Sequence, residues 1–206
     1  MNPTTESLEQ LLRNQANIWR GLRAQSSDWN TIATGFSELD TLLPGGGWPL
    51  GALLEMLVPH VGIGELRLLL PAMAKLSQAG RYIAWIAPPH QPYAPALVQA
   101  DIDLSQILVV DCPQENNIPW TLEKLLRNQR CGMALAWPKR LNDHQSRRLQ
   151  LAAEQGRSLA VLFPQQQSPH NHAALRIELR PIAKGLLLKF LKARGNLCRE
   201  SVVLPA

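Results

Sequence analysis

The sequence predicts a three-layer α/β fold with a mostly parallel central sheet and a C-terminal antiparallel hairpin. Three observations carry this. Short apolar runs at Leu53–Val58, Tyr82–Ala87, Ile107–Val110, Cys131–Ala136 and Leu159–Phe163 alternate with helix-period stretches. Joined by short connections, such a series gives right-handed crossovers and a parallel sheet. The first run passes through a glycine turn straight into a helix-period run, which is the layout of a phosphate-binding loop. Leu175–Arg180 then alternates apolar and charged residues, and Gly185 turns it back into Leu186–Leu191.

Composition sets the class. With 46% hydrophobic and 18% charged residues among 206, the chain reads as an ordinary soluble globular protein. No apolar run approaches the roughly 18 residues that span a bilayer, and the opening Met-Asn-Pro-Thr-Thr-Glu-Ser is not a signal peptide. A cytoplasmic location with no membrane contact is expected. Cys112, Cys131 and Cys198 stand far apart, without a Cys-x-x-Cys pair, which argues against a zinc site and a disulfide framework. His170 and His172, in a loop lacking acidic or thiol company, read as solvent-facing. No metal and no cofactor is assigned.

Charge is unevenly spread. Residues 1–138 carry 9 Lys/Arg against 12 Asp/Glu, and residues 139–206 carry 12 against 4. A basic C-terminal third suits contact with nucleic acid or an acidic partner, and equally a plain solvated face. The candidates are Lys139, Arg140, Arg147, Arg148, Lys189, Lys192 and Arg194.

In chain order, residues 1–31 read as a helical interaction arm, 32–195 as the α/β domain and 196–206 as a tail. Leu8, Leu11 and Leu12 give the arm one apolar stripe. Ile18 and Trp19 follow as large apolar groups that a short arm cannot bury alone, which makes them partner-binding candidates. Ser37 is placed to cap a short helix over Glu38–Leu42, ended by the Pro44–Gly47 turn.

The glycine turn holds Gly62 and Gly64, then Glu65 and Leu66. A working phosphate loop has Lys and Ser/Thr at those last two places, the cation for the phosphates and the hydroxyl for Mg²⁺. A carboxylate about 4 Å from a phosphate repels it by roughly 4 kcal/mol per charge pair at an effective dielectric near 20. The site is a degenerate loop.

Leu66, Leu69, Leu70, Met73 and Leu76 stripe the following helix, which Gly80 ends. Pro71 forces a kink or a late start. Pro95–Ala100 reads as a short helix, and Pro119 suits the first turn of Trp120–Arg130, with Leu122, Leu125 and Leu126 inward. Asn142 caps a helix over Asp143–Gln155, with Arg147 and Arg148 outward and Gly156 as its stop.

Residues 32–59 resemble the lead-in to the nucleotide site of RecA-type recombinases, through Thr34-Gly35, Leu39-Asp40, Gly46-Gly47, Pro49, Gly51 and the strand reaching Glu55. The similarity covers most of residues 32–163 and implies a RecA-like fold. More closely the chain resembles the ImuA family of degenerate RecA-like proteins, in Leu42-Leu-Pro-Gly-Gly-Gly-Trp-Pro-Leu-Gly-Ala-Leu, Gly62-Ile-Gly-Glu-Leu-Arg-Leu-Leu-Leu-Pro, Ile86-Ala-Pro-Pro-His-Gln-Pro-Tyr-Ala-Pro-Ala-Leu and Leu191-Lys-Ala-Arg-Gly. In RecA-like ATPases an acid after the second strand activates water and another, after the strand matching Cys131–Ala136, holds Mg²⁺. Pro88-Pro89 and Trp137-Pro138 occupy those places, so no ATPase activity is expected.

The ImuA resemblance implies a non-catalytic adaptor in the SOS response to DNA damage, docking to an ImuB-like Y-family protein, an error-prone DNA polymerase and RecA during translesion synthesis, with possible contact to DNA. The Pro119–Ala136 region also resembles SulA-type cell division inhibitors, a related degenerate RecA-like family, whose partner is FtsZ. An active recombinase-type ATPase is the third class, and Glu65 and Leu66 speak against it.

Overall fold

The computed structural model describes residues 30–168, 171–193 and 201–205. Ile18, Trp19, His170, Arg194 and Cys198 lie outside them. Its main sheet has eight strands in the order β10-β9-β8-β3-β7-β6-β4-β5. These are β3 (Ala52–Leu57), β4 (Tyr82–Ile86), β5 (Ile107–Val110), β6 (Cys131–Ala136), β7 (Leu159–Leu162), β8 (Leu175–Ile182), β9 (Gly185–Ala193) and β10 (Ser201–Pro205). β5, β4, β6, β7, β3 and β8 run parallel, and β9 and β10 continue antiparallel. The mixed α/β fold with a mostly parallel sheet and antiparallel C-terminal strands is the one the sequence predicts.

Period-two burial builds the layers. Leu54 and Met56, Ile83 and Trp85, and Met133 and Leu135 face one way, against Leu69, Met73 and Leu76 at the cap and along the length of helix α2 (Leu70–Gln78) and Leu97 of helix α3 (Ala94–Gln99). Leu53, Ala84 and Ile86, Ala134 and Ala136, and Ala160 face the other. There they meet Leu122 and Leu126 of α4 (Ile118–Leu126) and Leu149, Ala152 and Ala153 of α5 (Asp143–Gly156). Each fully buried leucine of these layers is worth roughly 1.5–3 kcal/mol over leaving it in water. Alanines in the strands let α4 and α5 approach closely.

Residues before the main sheet form a small unit. Strands β1 (Thr31–Ile32) and β2 (Trp48–Pro49) pair antiparallel around helix α1 (Ser37–Leu42). Within it Asp40 Oδ1 accepts from Thr34 N at 2.9 Å, and Trp48 Nε1 donates to Leu68 O at 3.2 Å, which bonds the unit to the turn just before α2.

Several local expectations are corrected. Phe36 rather than Ser37 is the N-cap of α1; Ser37 lies in the helix and its hydroxyl reaches Glu38. Pro71 brings the late start: a 3₁₀ turn over Glu65–Leu68 precedes α2, where Pro71 sits in the first turn and lacks no needed donor. The α4 helix ends at Leu126, before Arg130. Asn142 caps α5 in a reciprocal box with Gln145. The stop, however, is Arg157 at φ 50°, and Gly156 is the last helical residue, where a side chain would run into Leu126 O. Nor is the end of the chain a separate tail, since Ser201–Pro205 pairs with β9 along its length.

Candidate functional site

The carboxyl ends of the central strands hold the degenerate loop between β3 and α2. Gly62 and Gly64 have φ of 89° and 96°, the left-handed conformations that let such a loop curl. Glu65 is 3% exposed, and its Oε1 accepts from Gly62 N at 3.1 Å. The loop closes on its own carboxylate. Oε2 of Glu65 is buried without a hydrogen-bond partner, and Leu66 is half-buried against the core.

Beside it the strand ends are filled with aromatic rings. Trp137 stacks on Trp85 with centroids 5.8 Å apart and on Phe163 at 5.1 Å. The three extend from β4, β6 and β7, and all are buried. Sequence reading notes Trp137 only as a missing acid. The ladder itself was signalled by aromatic residues at the ends of three successive core strands. Pro138, also buried, follows where chain direction changes.

The basic candidates divide. Lys139 is held by Glu115, whose carboxylate accepts from Lys139 N at 2.9 Å and lies 3.4 Å from Nζ. Arg148 and Arg127 both bind Glu123, clamping α5 to α4. Arg140 and Arg147 are exposed. Register between β8 and β9 shifts between Arg176 and Ile177, skipping Leu191, so Lys189 lies opposite Glu178 and Lys192 opposite Arg176 on one face.

Lys192 is a structural residue rather than an outward contact. Its Nζ donates to Asn171 O at 3.0 Å, and Asn171 Nδ2 donates to Glu55 Oε2 at 2.9 Å. Arg176 Nε lies 3.1 Å from the same carboxylate oxygen. Burial pushes the Glu55 carboxyl above its ordinary value, while Arg176 and Lys192 pull it back. The other histidine expectation also changes, for His172 Nε2 lies 3.2 Å from Asp143 Oδ1 instead of facing solvent alone.

Among the described residues no group of three or more His, Cys, Asp or Glu is arranged to hold a metal. No helix among them is long and apolar enough to cross a membrane. What the loop end offers chemically is a packed, self-bonded surface whose only nucleotide-like feature is its backbone path.

Comparison with known proteins finds three similarities. Residues 59–160 match the family model of the cell division inhibitor SulA. Cell division inhibitor SulA of Edwardsiella piscicida is 26% identical over 116 residues, covering 53% of this chain and 69% of that protein. The crystal structure of SulA from Pseudomonas aeruginosa, at 24% identity and a TM-score of 0.44, covers 54% of this chain and 96% of that one. The family match covers just under half of the chain, from beyond the end of β3 into β7.

Proposed function

We propose that this chain is a non-catalytic, SulA-type inhibitor of cell division that acts in the cytoplasm after DNA damage by binding the tubulin-like ring protein FtsZ. The observation that carries the reading is the match of residues 59–160 to the SulA family model. It is supported by the loop, where Glu65 bonds to Gly62, and by the strand ends, where Trp137 stacks between Trp85 and Phe163 at the place where the RecA-type resemblance implies an acid. A protein so built acts by docking. The test adds purified full-length chain to FtsZ and GTP and follows polymer by light scattering. Loss of polymer near equimolar ratio is the expected result, and unchanged assembly at a tenfold excess overturns the reading.

A second reading is favoured by the folded unit at residues 31–58, which lies before the SulA-related stretch. Its Thr34–Asp40 and Trp48–Leu68 bonds build the RecA-like lead-in on which the ImuA resemblance rests. Under this reading the chain is an adaptor for translesion synthesis, joining an ImuB-like Y-family protein, an error-prone polymerase and RecA, with DNA contact through Arg140 and Arg147. Tagged protein recovered from DNA-damaged cells, beside a Trp19→Ala variant, separates the two. Recovery of the polymerase partners without FtsZ supports the adaptor, and FtsZ alone excludes it.

A further inference from the structure

Among the described residues β5 is the outermost strand on its side of the sheet, with β4 on its inner flank. Val110 O accepts from Ala87 N at 2.9 Å, so Val110 turns its main-chain groups toward β4. Main-chain direction alternates along a strand, and Val109 therefore points its N–H and C=O away from the sheet. Open edges of this kind template a further strand unless a bulge, a proline or an edge lysine guards them. The strand Ile-Leu-Val-Val has none of these, and its register with β4 is regular across all four residues.

The edge is also apolar. Leu108 and Val109 are 36% and 51% exposed, and just upstream Tyr93, Val98 and Leu104 are exposed as well. Among the described residues, five of the eleven exposed large hydrophobic side chains thus fall between 93 and 109. Such clustering marks an interaction site more than scattered exposure does.

Charge identifies the occupant. No Lys or Arg occurs between Arg81 and Lys124, while exposed Asp101 and Asp103 precede the strand and exposed Asp111 follows it. A second copy pairing antiparallel along this edge in the register centred on Ile107 would set Asp103 of one chain toward Asp111 of the other, and like charges across strands are unfavourable. A segment bearing Lys or Arg at its ends meets attraction at both ends.

We propose that the outer edge of β5 is a docking site for an extended segment of another protein, apolar at alternate positions and basic at its ends, which adds as a ninth strand. Main-chain bonds to Val109 supply the pairing, Leu108 and Val109 contact alternate side chains, and the aspartates select the charge. This goes beyond the function proposed above and does not depend on whether the partner is FtsZ or a polymerase subunit.

The probe is a fluorescein-labelled peptide, Arg-Arg-Val-Thr-Val-Thr-Val-Arg-Arg, with a version carrying Glu in place of every Arg as control. Anisotropy with the full chain should show the Arg-flanked peptide binding at least tenfold more tightly, with an affinity that falls as salt rises. Val109→Pro deletes the outward N–H but no bond to β4, so it should lose at least tenfold in peptide affinity while keeping its circular dichroism melt. Val109→Lys takes its place if that melt is lost. Asp101→Asn combined with Asp111→Asn should narrow the gap between the two peptides. Equal binding by both peptides, or full binding by a folded Val109 variant, overturns the proposal. So does absence of binding together with slow hydrogen exchange at Val109: concentration-independent protection means the chain covers its own edge, and protection lost on dilution means a second copy does.

Discussion

Trp137 and Phe163 stack with ring centroids 5.1 Å apart and planes 14° from parallel, at the carboxyl ends of the adjacent strands β6 and β7. Deleting the central ring leaves a hole that Trp85 cannot fill. Trp137→Ala should cost about 3–5 kcal/mol, and Trp137→Phe less, about 1.5 kcal/mol or under. Urea unfolding of the three proteins checks the order.

Restoring the phosphate-loop residues should not restore hydrolysis. Glu65→Lys with Leu66→Thr returns the cation and hydroxyl, but Trp137 and Pro138 stay buried where the metal-holding acid belongs. The expected result is no phosphate release from ATP above background, in a magnesium-dependent assay. Release at a steady rate would mean that the strand ends are not the obstacle.

Gly156→Ala in a helix ordinarily stabilises, by up to about 1 kcal/mol. At this position the sign reverses. The added Cβ would lie 1.8 Å from Leu126 O, with Leu126 C at 2.9 Å, so the ends of α4 and α5 must separate. A loss of about 3 kcal/mol or failure to fold is expected, read by thermal melting of the purified variant.

Burial pushes the Cys131 thiol up to about 11 from an ordinary value of 9.0. Folding therefore favours the neutral thiol, a contribution fully present below pH 9 and lost as pH climbs toward 11. Cys131→Ala should lose less stability than the parent between pH 8.5 and 10.5 in denaturant titrations. At pH 8, mass spectrometry after brief treatment with a thiol reagent should find Cys112 labelled before Cys131, since Cys112 is half-buried and Cys131 buried.

Removing Glu123 tests the clamp between α4 and α5. Both Arg127 and Arg148 lose their partner, yet each is 51% exposed and can turn to water. Glu123→Ala should cost about 1–2 kcal/mol, and Arg148→Met should recover part of that loss in the double variant, measured by a mutant cycle.

Much of this architecture was legible because its signals are local. Asn142 and Gln145 are three residues apart, so the cap of α5 can be read from four letters, and Pro71 dictates its own position near a helix start. Signals that arise between distant segments were not. Nothing near Lys192 in the sequence says that Asn171 and Glu55 will gather around it, and the register skip at Leu191 is fixed by pairing with β8. The need for glycine at 156 comes from the approach of Leu126, thirty residues earlier, and not from the helix stop, which is Arg157. That Glu65 and Leu66 stand where a phosphate loop has Lys and a hydroxyl is plain in the letters, but the bond of Glu65 to Gly62 depends on how the loop curls.

The position of β3 between β7 and β8 has a kinetic consequence. Leu54 lies beside Val161 on one side and Leu175 on the other, so the first strand of the main sheet to leave the ribosome is flanked only after most of the chain has been made. At about 5–20 residues per second, β3 waits several seconds with both edges open. Closure of such distant pairings is slow. The nascent chain therefore offers chaperones an open edge until β8 emerges, and messages truncated before it yield a sheet whose exposed edge is apolar apart from Glu55, left without Arg176.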